Sequence, residues 1–326
     1  MKNISNNFSA GGADLDLLVI TGPTATGKTA LGVSAALDFG GEVVSADSMQ
    51  LYRRMDIGTA KPSTAEMCGI PHHMIDVADP NEPYSVSRYV REASACVDDI
   101  ISRGKLPIIV GGTGLYIESL VSGRDFADSS GNLSLRETLG DEYDAYGGET
   151  MLEKLRSFDP VRAEKLPPGD KRRVIRAIEV YMLTGKTITQ HDLETRARPP
   201  RYKSAKFALT FMNRDDLYSR IDSRVDSMLK DGLLREVEAL LDSGIAADST
   251  AMQAIGYKEL VSHLRRGESL EDAVSSIKQE SRRYAKRQLT WLRRDEKINW
   301  IEWDKSPDID SARQILTSYL EGLRLE

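Results

Sequence analysis

The first third of the chain alternates between two hydrophobic patterns. Residues 15–20, 41–45 and 106–110 each have the pattern of a strand, and the run at 106–110 is continuously apolar, as in a parallel strand that is buried on both faces. Residues 30–39 are rich in Ala and Leu, and residues 84–103 place apolar side chains at intervals of three and four, so both favour helices. Strands that alternate with helices predict an α/β core with a parallel sheet.

The pattern changes between residues 122 and 203. Strand signals disappear there, and loops rich in Gly, Ser and Asp alternate with helical patterns. An apolar run returns at 207–211, most of the chain beyond it has a helical pattern, and residues 298–323 have the pattern of a closing strand and helix. The sequence therefore predicts a disordered leader at 1–13, an α/β core at 14–121 and 204–326 with additional C-terminal helices, and an inserted helical domain at 122–203.

A glycine-rich turn joins the first predicted strand to the first predicted helix, and it matches G-x-x-x-x-G-K-[ST] at every fixed position. In such a turn, backbone N–H groups, a helix N-terminus and a lysine face one concavity, which suits a diphosphate. The hydroxyl of Thr29 is placed to hold Mg²⁺ beside it. A glycine-rich turn without a ligand is the alternative. We therefore predict a P-loop NTPase-like parallel sheet core whose diphosphate-binding residues are Gly22, Pro23, Thr24, Ala25, Thr26, Gly27, Lys28 and Thr29.

Asp47 follows the predicted strand 41–45, and ligands of open parallel sheets bind beyond the carboxyl ends of the strands. Its position alone allows a turn-capping or helix-capping role equally well. The strand at 106–110 ends in Gly111-Gly112-Thr113-Gly114, where many P-loop NTPases carry an Asp for Mg²⁺. The absence of an Asp at the end of this strand disfavours an ordinary ATPase. It also makes Asp47 the better-placed carboxylate to act near the diphosphate.

The formal net charge of −6 argues against a nucleic-acid partner, but the distribution of charge reverses that argument. Residues 278–294 contain seven basic residues against the single acidic Glu280, and a basic stripe on a helix is typical of contact with a phosphate backbone. A solvated helix face is the alternative. Arg220 and Arg224 lie four apart, so they share a helix face and point either to a ligand or to neighbouring aspartates.

The remaining features narrow the class of protein. No apolar run approaches the ~20 residues of a membrane span, and the N-terminus lacks the pattern of a signal peptide. Cys68 and Cys96 are far apart and lack metal-ligand spacing, so we expect reduced thiols in a cytoplasmic protein. His72 and His73 have no further ligand at a suitable spacing, which disfavours a metal site there.

Seven segments together resemble the marker segments of the tRNA dimethylallyltransferase (tRNA isopentenyltransferase) family, in that family's order and from residue 22 to 293. They are G-P-T-A-T-G-K-T, S-A-D-S-M-Q-L-Y, D-I-G-T-A-K-P, G-G-T-G-L-Y, R-V-I-R-A-I-E-V, Q-A-I-G-Y-K-E and Y-A-K-R-Q-L-T-W-L-R. The first is shared with all P-loop proteins, whereas the set is specific. Nothing in the chain resembles the zinc finger of eukaryotic members, so the resemblance is to the bacterial type.

The resemblance implies that dimethylallyl diphosphate donates its five-carbon group to N6 of adenosine 37, beside the tRNA anticodon. It also implies a general base at Asp47, a hydroxyl at Thr24 near the bridging oxygen of the diphosphate, and charge neutralisation by Mg²⁺ and by Arg220 or Arg224. We expect a monomer whose tRNA-binding residues are Asp47, Ser48, Met49, Gln50, Arg172, Arg173, Arg176, Gln253, Arg282, Arg283, Lys286 and Arg287.

Three other functions compete with this one. A nucleotide kinase or ATPase is disfavoured by the glycines that end strand 106–110. An adenylate isopentenyltransferase acting on free AMP is disfavoured because enzymes of that type lack much of the RNA-binding part. This chain carries the basic stretch 278–294. A non-enzymatic RNA-binding protein would leave the intact glycine-rich motif unexplained.

Overall fold

The computed structural model describes residues 15–124 and 133–322. The predicted leader, 1–13, lies outside these residues. The chain divides into two compact units, one formed by Met1–Val121 with Tyr202–Glu326 and one by Ser122–Arg201. Within the described residues, no helix combines the length and the apolar character needed to cross a membrane.

The larger unit is built on a parallel six-stranded sheet with the order β3-β2-β4-β1-β5-β6. Five of these strands overlap segments that the sequence predicts as strands, which confirms the α/β class. The strands are β1 (Leu17–Thr21), β2 (Glu42–Ser45), β3 (His72–His73), β4 (Pro107–Val110), β5 (Ser204–Phe211) and β6 (Ile298–Trp303).

Helices pack on this sheet, and most of the chain after β5 is helical, as the spacing of apolar residues in the sequence predicts. Helices α1 and α13 contact each other, and α9 contacts both β5 and α12. The helices of the larger unit are α1 (Lys28–Phe39), α2 (Thr64–Met67), α3 (Val86–Ser102), α4 (Gly114–Ser122, whose last residue belongs to the smaller unit), α9 (Arg214–Asp231), α10 (Leu233–Asp242), a 3₁₀ turn (Ala251–Gln253), α11 (Tyr257–Arg266), α12 (Leu270–Leu292) and α13 (Ile309–Gly322).

The core of the larger unit lies around the central strand β1, whose residues Leu17–Thr21 are all buried. Leu18 and Ile20 pack in one cluster with Leu31 of α1, Phe207 of β5 and Leu316 of α13. Burial on both sides explains why β1 is a continuous apolar run rather than an alternating one. The core therefore fixes the carboxyl end of β1, from which the glycine-rich turn emerges.

The smaller unit is helical and has its own core. Leu139, Met151, Leu155, Val174 and Ile178 belong to its buried cluster. Helix α5 bends at Gly147, where the backbone leaves the helical conformation. The helices of this unit are α5 (Leu133–Arg156), α6 (Pro160–Ala163), α7 (Lys171–Thr184) and α8 (Ile188–Ala197).

Candidate active site

A cavity of about 680 Å³ opens beyond the carboxyl ends of the strands of the larger unit. It brings together the glycine-rich turn, the turn after β2, the start of the turn after β4, and parts of α9 and α12. Of the residues predicted to act in the site, its lining includes Thr24, Ala25, Thr26, Gly27, Lys28, Thr29, Asp47, Ser48, Met49, Gln50, Arg220, Arg224, Gln253 and Arg287. Residues that are more than 250 positions apart in the sequence therefore share one cavity.

The glycine-rich turn, residues 22–29, is pressed closely against strand β5. Gly22 has φ +140°, and a Cβ atom there would lie 2.4 Å from the carbonyl oxygen of Leu209. Any side chain at this position would therefore collide with the backbone of β5. The glycine at position 22 is required by the close approach of two backbones.

Three side chains donate hydrogen bonds to the carbonyl oxygens of this turn, two from distant elements and one from the turn itself. Trp303, which is buried at the end of β6, donates its indole N–H to the oxygen of Thr26 at 3.0 Å. Arg220 of α9 donates its Nε to the oxygen of Ala25 at 3.2 Å. Lys28 places its Nζ 2.7 Å from the oxygen of Pro23. These three donors hold carbonyl groups of the turn in place.

Most backbone N–H groups of the turn are available to bind a ligand. The backbone N–H of Thr24 donates to Oε1 of Gln288 at 3.3 Å. In the described part of the chain, the N–H groups of residues 25–29 have no acceptor. Successive unpaired N–H groups at a helix N-terminus form an anion site, so the turn has the geometry of a diphosphate cradle.

Two cations of the cavity are close enough to affect each other's charge. Burial and the guanidinium of Arg224 lower the pKa of Lys28 to about 7, while Asp47 acts in the opposite direction. Burial also lowers the pKa of Arg224, against the influence of Asp47 and Glu66. The Nε atom of Arg224 is buried and has no hydrogen-bond partner within the described residues. An anion in the cavity would stabilise both charges.

Asp47 lies in the cavity and also caps the turn that follows β2. Its Oδ1 accepts hydrogen bonds from the backbone N–H groups of Met49 at 2.9 Å and Gln50 at 3.4 Å. No hydrogen bond to Oδ2 occurs within the parts of the chain that are described. The capping interpretation and the catalytic interpretation of Asp47 are therefore compatible, because each needs only one of the two oxygens.

The other predicted residues of this turn are also held in place. The N–H of Ser48 donates to Oγ1 of Thr113 at 3.1 Å, which joins the turn after β2 to the turn after β4. Gln50 donates its amide to the carbonyl oxygens of Thr59 at 3.3 Å and Ala60 at 3.2 Å. The wall of the cavity around Asp47 is thus a network of short turns.

Helix α12 is a wall of the cavity as well as the carrier of the basic stripe. Gln288 is buried and bridges two turns: its Oε1 accepts from Thr24 N–H, and its Nε2 donates to the carbonyl oxygen of Gly112 at 2.8 Å. The sequence did not predict a role for Gln288, because neither its spacing nor its chemistry marks it when its partners lie 264 and 176 positions away.

The basic residues of α12 divide into two sets. Lys278 and Arg282 each lie 2.6 Å from an aspartate of α9, Asp226 and Asp222 respectively. Arg283 pairs with Glu280 on its own helix, and Arg287 lies over the ring of Tyr284. Lys286 is exposed and has no ion-pair partner within the described residues. Among the five basic residues of this helix, Lys286 and Arg287 are therefore the ones without an ion-pair partner in the described part of the chain.

The predicted tRNA-binding arginines of α7 belong to the smaller unit. Arg173 pairs with Asp170, and Arg176 lies 2.8 Å from the buried carboxylate of Glu179. Arg172 is exposed, and its side chain makes no hydrogen bond or ion pair with the part of the chain that the structure describes.

The described residues offer few oxygen ligands for Mg²⁺ in this cavity. Thr29 and Asp47 line the cavity, and the described residues contain no cluster of three His, Cys, Asp or Glu side chains that could hold a metal by themselves. Mg²⁺ is commonly bound by one or two protein oxygens together with substrate phosphates. The residues present fit a metal of that kind. His72 and His73 lie on the edge strand β3, where His73 contacts Glu42 at 2.8 Å.

Comparisons with known proteins agree with the geometry. A family model described as "IPP transferase" matches residues 50–295, and one described as "Isopentenyl transferase" matches residues 15–78. The tRNA dimethylallyltransferase of Thermoanaerobacter sp. (strain X514) is 46% identical over 94% of this chain and 98% of that protein. The protein of the same name from Caldanaerobacter subterraneus subsp. tengcongensis is 48% identical over the same shares.

Solved structures give the same result. The tRNA isopentenylpyrophosphate transferase of Bacillus halodurans has a TM-score of 0.71 and 40% identity, with 94% of this chain and 96% of that chain covered. A eukaryotic dimethylallyltransferase acting on tRNA has a TM-score of 0.77 and 31% identity, with 93% and 78% covered. The P-loop NTPase-like fold and the family resemblance predicted from the sequence are confirmed, and the chain belongs to the IPP transferase family of tRNA dimethylallyltransferases.

Proposed function

We propose that this protein transfers the dimethylallyl group of dimethylallyl diphosphate to N6 of adenosine 37 in the anticodon loop of tRNA, with release of diphosphate. The observation that carries this proposal is the sharing of one cavity by the diphosphate cradle and the carboxylate of Asp47. Family membership supports tRNA as the acceptor.

In the proposed reaction, N6 of adenine attacks C1 of the dimethylallyl group, and the bond between C1 and the bridging oxygen breaks. Diphosphate leaves with the electron pair of that bond. The N6 lone pair is delocalised into the ring, so the nitrogen becomes a useful nucleophile as its proton moves to a base. Asp47 is our candidate for that base, since it lies in the cavity and its Oδ1 alone serves the turn.

The leaving group gains negative charge as the bond breaks, and groups on this chain would stabilise it. The unpaired N–H groups of residues 25–29 and the ammonium of Lys28 would bind its oxygens, and the hydroxyl of Thr24 would approach the bridging oxygen. Of the two arginines, we assign the diphosphate contact to Arg224, because its buried Nε is unpaired whereas the Nε of Arg220 braces Ala25. Mg²⁺, held by Thr29 and the diphosphate oxygens, would supply further positive charge.

Adenosine 37 must leave the anticodon stack to enter a cavity of this kind. We propose that Ser48, Met49, Gln50 and Gln253, which line the cavity, contact the extruded base and its neighbours. The exposed cations of α12 and of α7 would bind the phosphates of the anticodon stem and loop. We also propose that the protein acts as a monomer and, because its acceptor is tRNA, in the cytoplasm.

An acceptor comparison tests the proposal. The protein is mixed with dimethylallyl diphosphate and Mg²⁺, and diphosphate release is followed with unmodified tRNA, with AMP or with no acceptor. We expect release only with tRNA. Release with AMP at a comparable rate would instead identify an adenylate isopentenyltransferase, and phosphate release from ATP at the rate of transfer would identify an ATPase.

A further inference from the structure

The segment D-I-G-T-A-K-P, residues 56–62, is a loop that lines the cavity but carries none of the proposed chemistry. A single carboxylate on α10 determines its start. Glu236 accepts hydrogen bonds from three consecutive backbone N–H groups, those of Asp56 at 2.9 Å, Ile57 at 2.8 Å and Gly58 at 3.1 Å. Three charge-assisted bonds to one side chain fix the backbone of this loop.

Tyr257 holds Glu236 in turn, and it also fills the space beside the loop. Its hydroxyl donates to Oε1 of Glu236 at 2.5 Å, and its side chain is fully buried. A Cβ atom at Gly58 would lie 2.4 Å from the ring of Tyr257. Two marker segments, D-I-G-T-A-K-P and Q-A-I-G-Y-K-E, therefore interlock at Glu236, a residue that belongs to neither.

The other side of the loop is bonded to the turn that contains Asp47. The amide of Gln50 donates to the carbonyl oxygens of Thr59 and Ala60, at 3.3 and 3.2 Å. The backbone N–H of Gln50 points to Oδ1 of Asp47 at 3.4 Å. A continuous set of hydrogen bonds thus runs from Glu236 through the loop and Gln50 to Asp47.

We propose that Glu236 is a positioning residue for the transfer reaction, acting through the 56–62 loop and Gln50 on the turn that carries Asp47. This inference depends on the proposed function. Glu236 itself does not line the cavity, so it acts on the geometry of the site and not on the substrates. Displacement of reacting groups by about 1 Å is enough to slow an enzyme roughly 10²-fold.

The test compares Glu236→Gln with Glu238→Gln. Glu238 lies on the same helix, and its side chain makes no hydrogen bond or ion pair with the described residues, so Glu238→Gln removes the same charge without removing a contact. Single-turnover transfer to tRNA is measured well below the melting temperature of each variant. We expect Glu236→Gln to slow transfer by about 10–10²-fold with little change in KM for tRNA. Hydrogen exchange of amides 56–58 should accelerate in Glu236→Gln and not in Glu238→Gln.

A double-mutant cycle with Gln50→Ala tests the route. If Glu236 acts through Gln50, the double variant is hardly slower than Gln50→Ala alone. Tyr257→Phe keeps the ring and removes one hydrogen bond to Glu236. We expect it to slow transfer and to accelerate exchange of amides 56–58 by smaller factors, so it tests the inference even if Glu236→Gln does not fold.

Two results would overturn the inference while wild-type transfer is normal. One is a Glu236→Gln variant that melts lower but transfers at the wild-type rate when folded. The other is a double variant slowed by the product of the two single effects. Absence of transfer by the wild-type protein would instead refute the proposed function.

Discussion

Lys28 connects the pH of the solution to the binding of diphosphate. Its pKa is lowered from an ordinary 10.5 to about 7 by burial and by Arg224. Between these values the unfolded chain binds a proton that the empty folded protein lacks, so this group's contribution to the free energy of unfolding rises with pH. A bound diphosphate raises the pKa of Lys28 again, because its negative charge favours the protonated amine.

We therefore predict that dimethylallyl diphosphate takes up close to one proton when it binds at pH 8 without Mg²⁺. Affinity should fall as the pH rises above about 7. Calorimetry in buffers of different ionisation enthalpy measures the uptake, with Lys28→Met as the control that removes it. The same uptake by wild type and Lys28→Met would show that Lys28 is already charged in the empty site.

Asp47 allows its structural and chemical roles to be separated. Asp47→Asn keeps an oxygen that can cap the Met49 and Gln50 amides, and it removes the charged proton acceptor. We predict a fall in kcat of roughly 10²–10⁴-fold, with little change in KM for tRNA. Asp47→Ala, which also removes the cap, should in addition lose about 1 kcal/mol of stability.

Single-turnover transfer and melting curves on the two Asp47 variants provide the check. A near-normal rate for Asp47→Asn would leave the residue with the turn cap as its only role.

Residues whose role depends on local sequence could be predicted, and residues whose role depends on distant partners could not. Lys28 and Asp47 were identifiable because a motif and a strand end mark them. Gln288, Glu236 and Trp303 have no such mark, since their partners in the turns lie 176 to 277 positions away. Their functions become apparent only when the sheet brings those segments together.

Among the elements, α12 carries basic residues that differ in their partners. Lys278 and Arg282 pair with aspartates of α9, whereas Lys286 and Arg287 have no ion-pair partner within the described residues. Only cations that contact phosphates release counterions when RNA binds. We predict that Lys286→Ala and Arg287→Ala each make the dependence of log affinity for tRNA on log salt shallower by about 0.7–0.9.

Arg282→Ala is the matched control for this measurement, because it leaves Asp222 of α9 without its partner. We expect this variant to lower the melting temperature and to leave the salt dependence of tRNA affinity nearly unchanged. A slope that changes with Arg282→Ala but not with Lys286→Ala would mean that RNA binding rearranges the pairs with α9.

The hydrophobic pattern predicted most elements, and its failures have physical causes. Strand β3 is two residues long and consists of His72 and His73, so it carries no apolar signal. Helix α5 contains three glycines and few apolar residues, so its helical periodicity is weak. Helix α12 starts earlier than the basic stretch, because Ser269 caps it by accepting a bond from the N–H of Asp272.

At the scale of the whole molecule, the smaller unit is inserted between two points of the larger unit that touch. The N–H of Tyr202 donates to the carbonyl oxygen of Val121 at 3.2 Å. A short Gly/Ser linker can therefore replace residues 122–201 without moving these ends. We predict that this deletion retains the affinity for dimethylallyl diphosphate and weakens tRNA binding.

Calorimetry with the donor and a salt-dependent tRNA titration compare the deletion variant with the full chain. A folded variant that binds tRNA normally would remove Arg172, Arg173 and Arg176 from the proposed RNA-binding set.

The fold class and family were predictable from the sequence because each marker segment is local. The strand order β3-β2-β4-β1-β5-β6 was not, because it depends on how helices pack across the sheet. That order places the ends of β1, β2 and β4 side by side, and so joins the diphosphate cradle to Asp47.

Transfer to adenosine 37 is tested most directly by locating the product on tRNA. An unmodified transcript and a transcript with G in place of A37 are incubated with the protein, Mg²⁺ and dimethylallyl diphosphate, then digested and analysed by mass. We predict a C₅H₈ increase only on the fragment that contains A37, and none in the G37 transcript. No increase, or an increase that persists without A37, would contradict it.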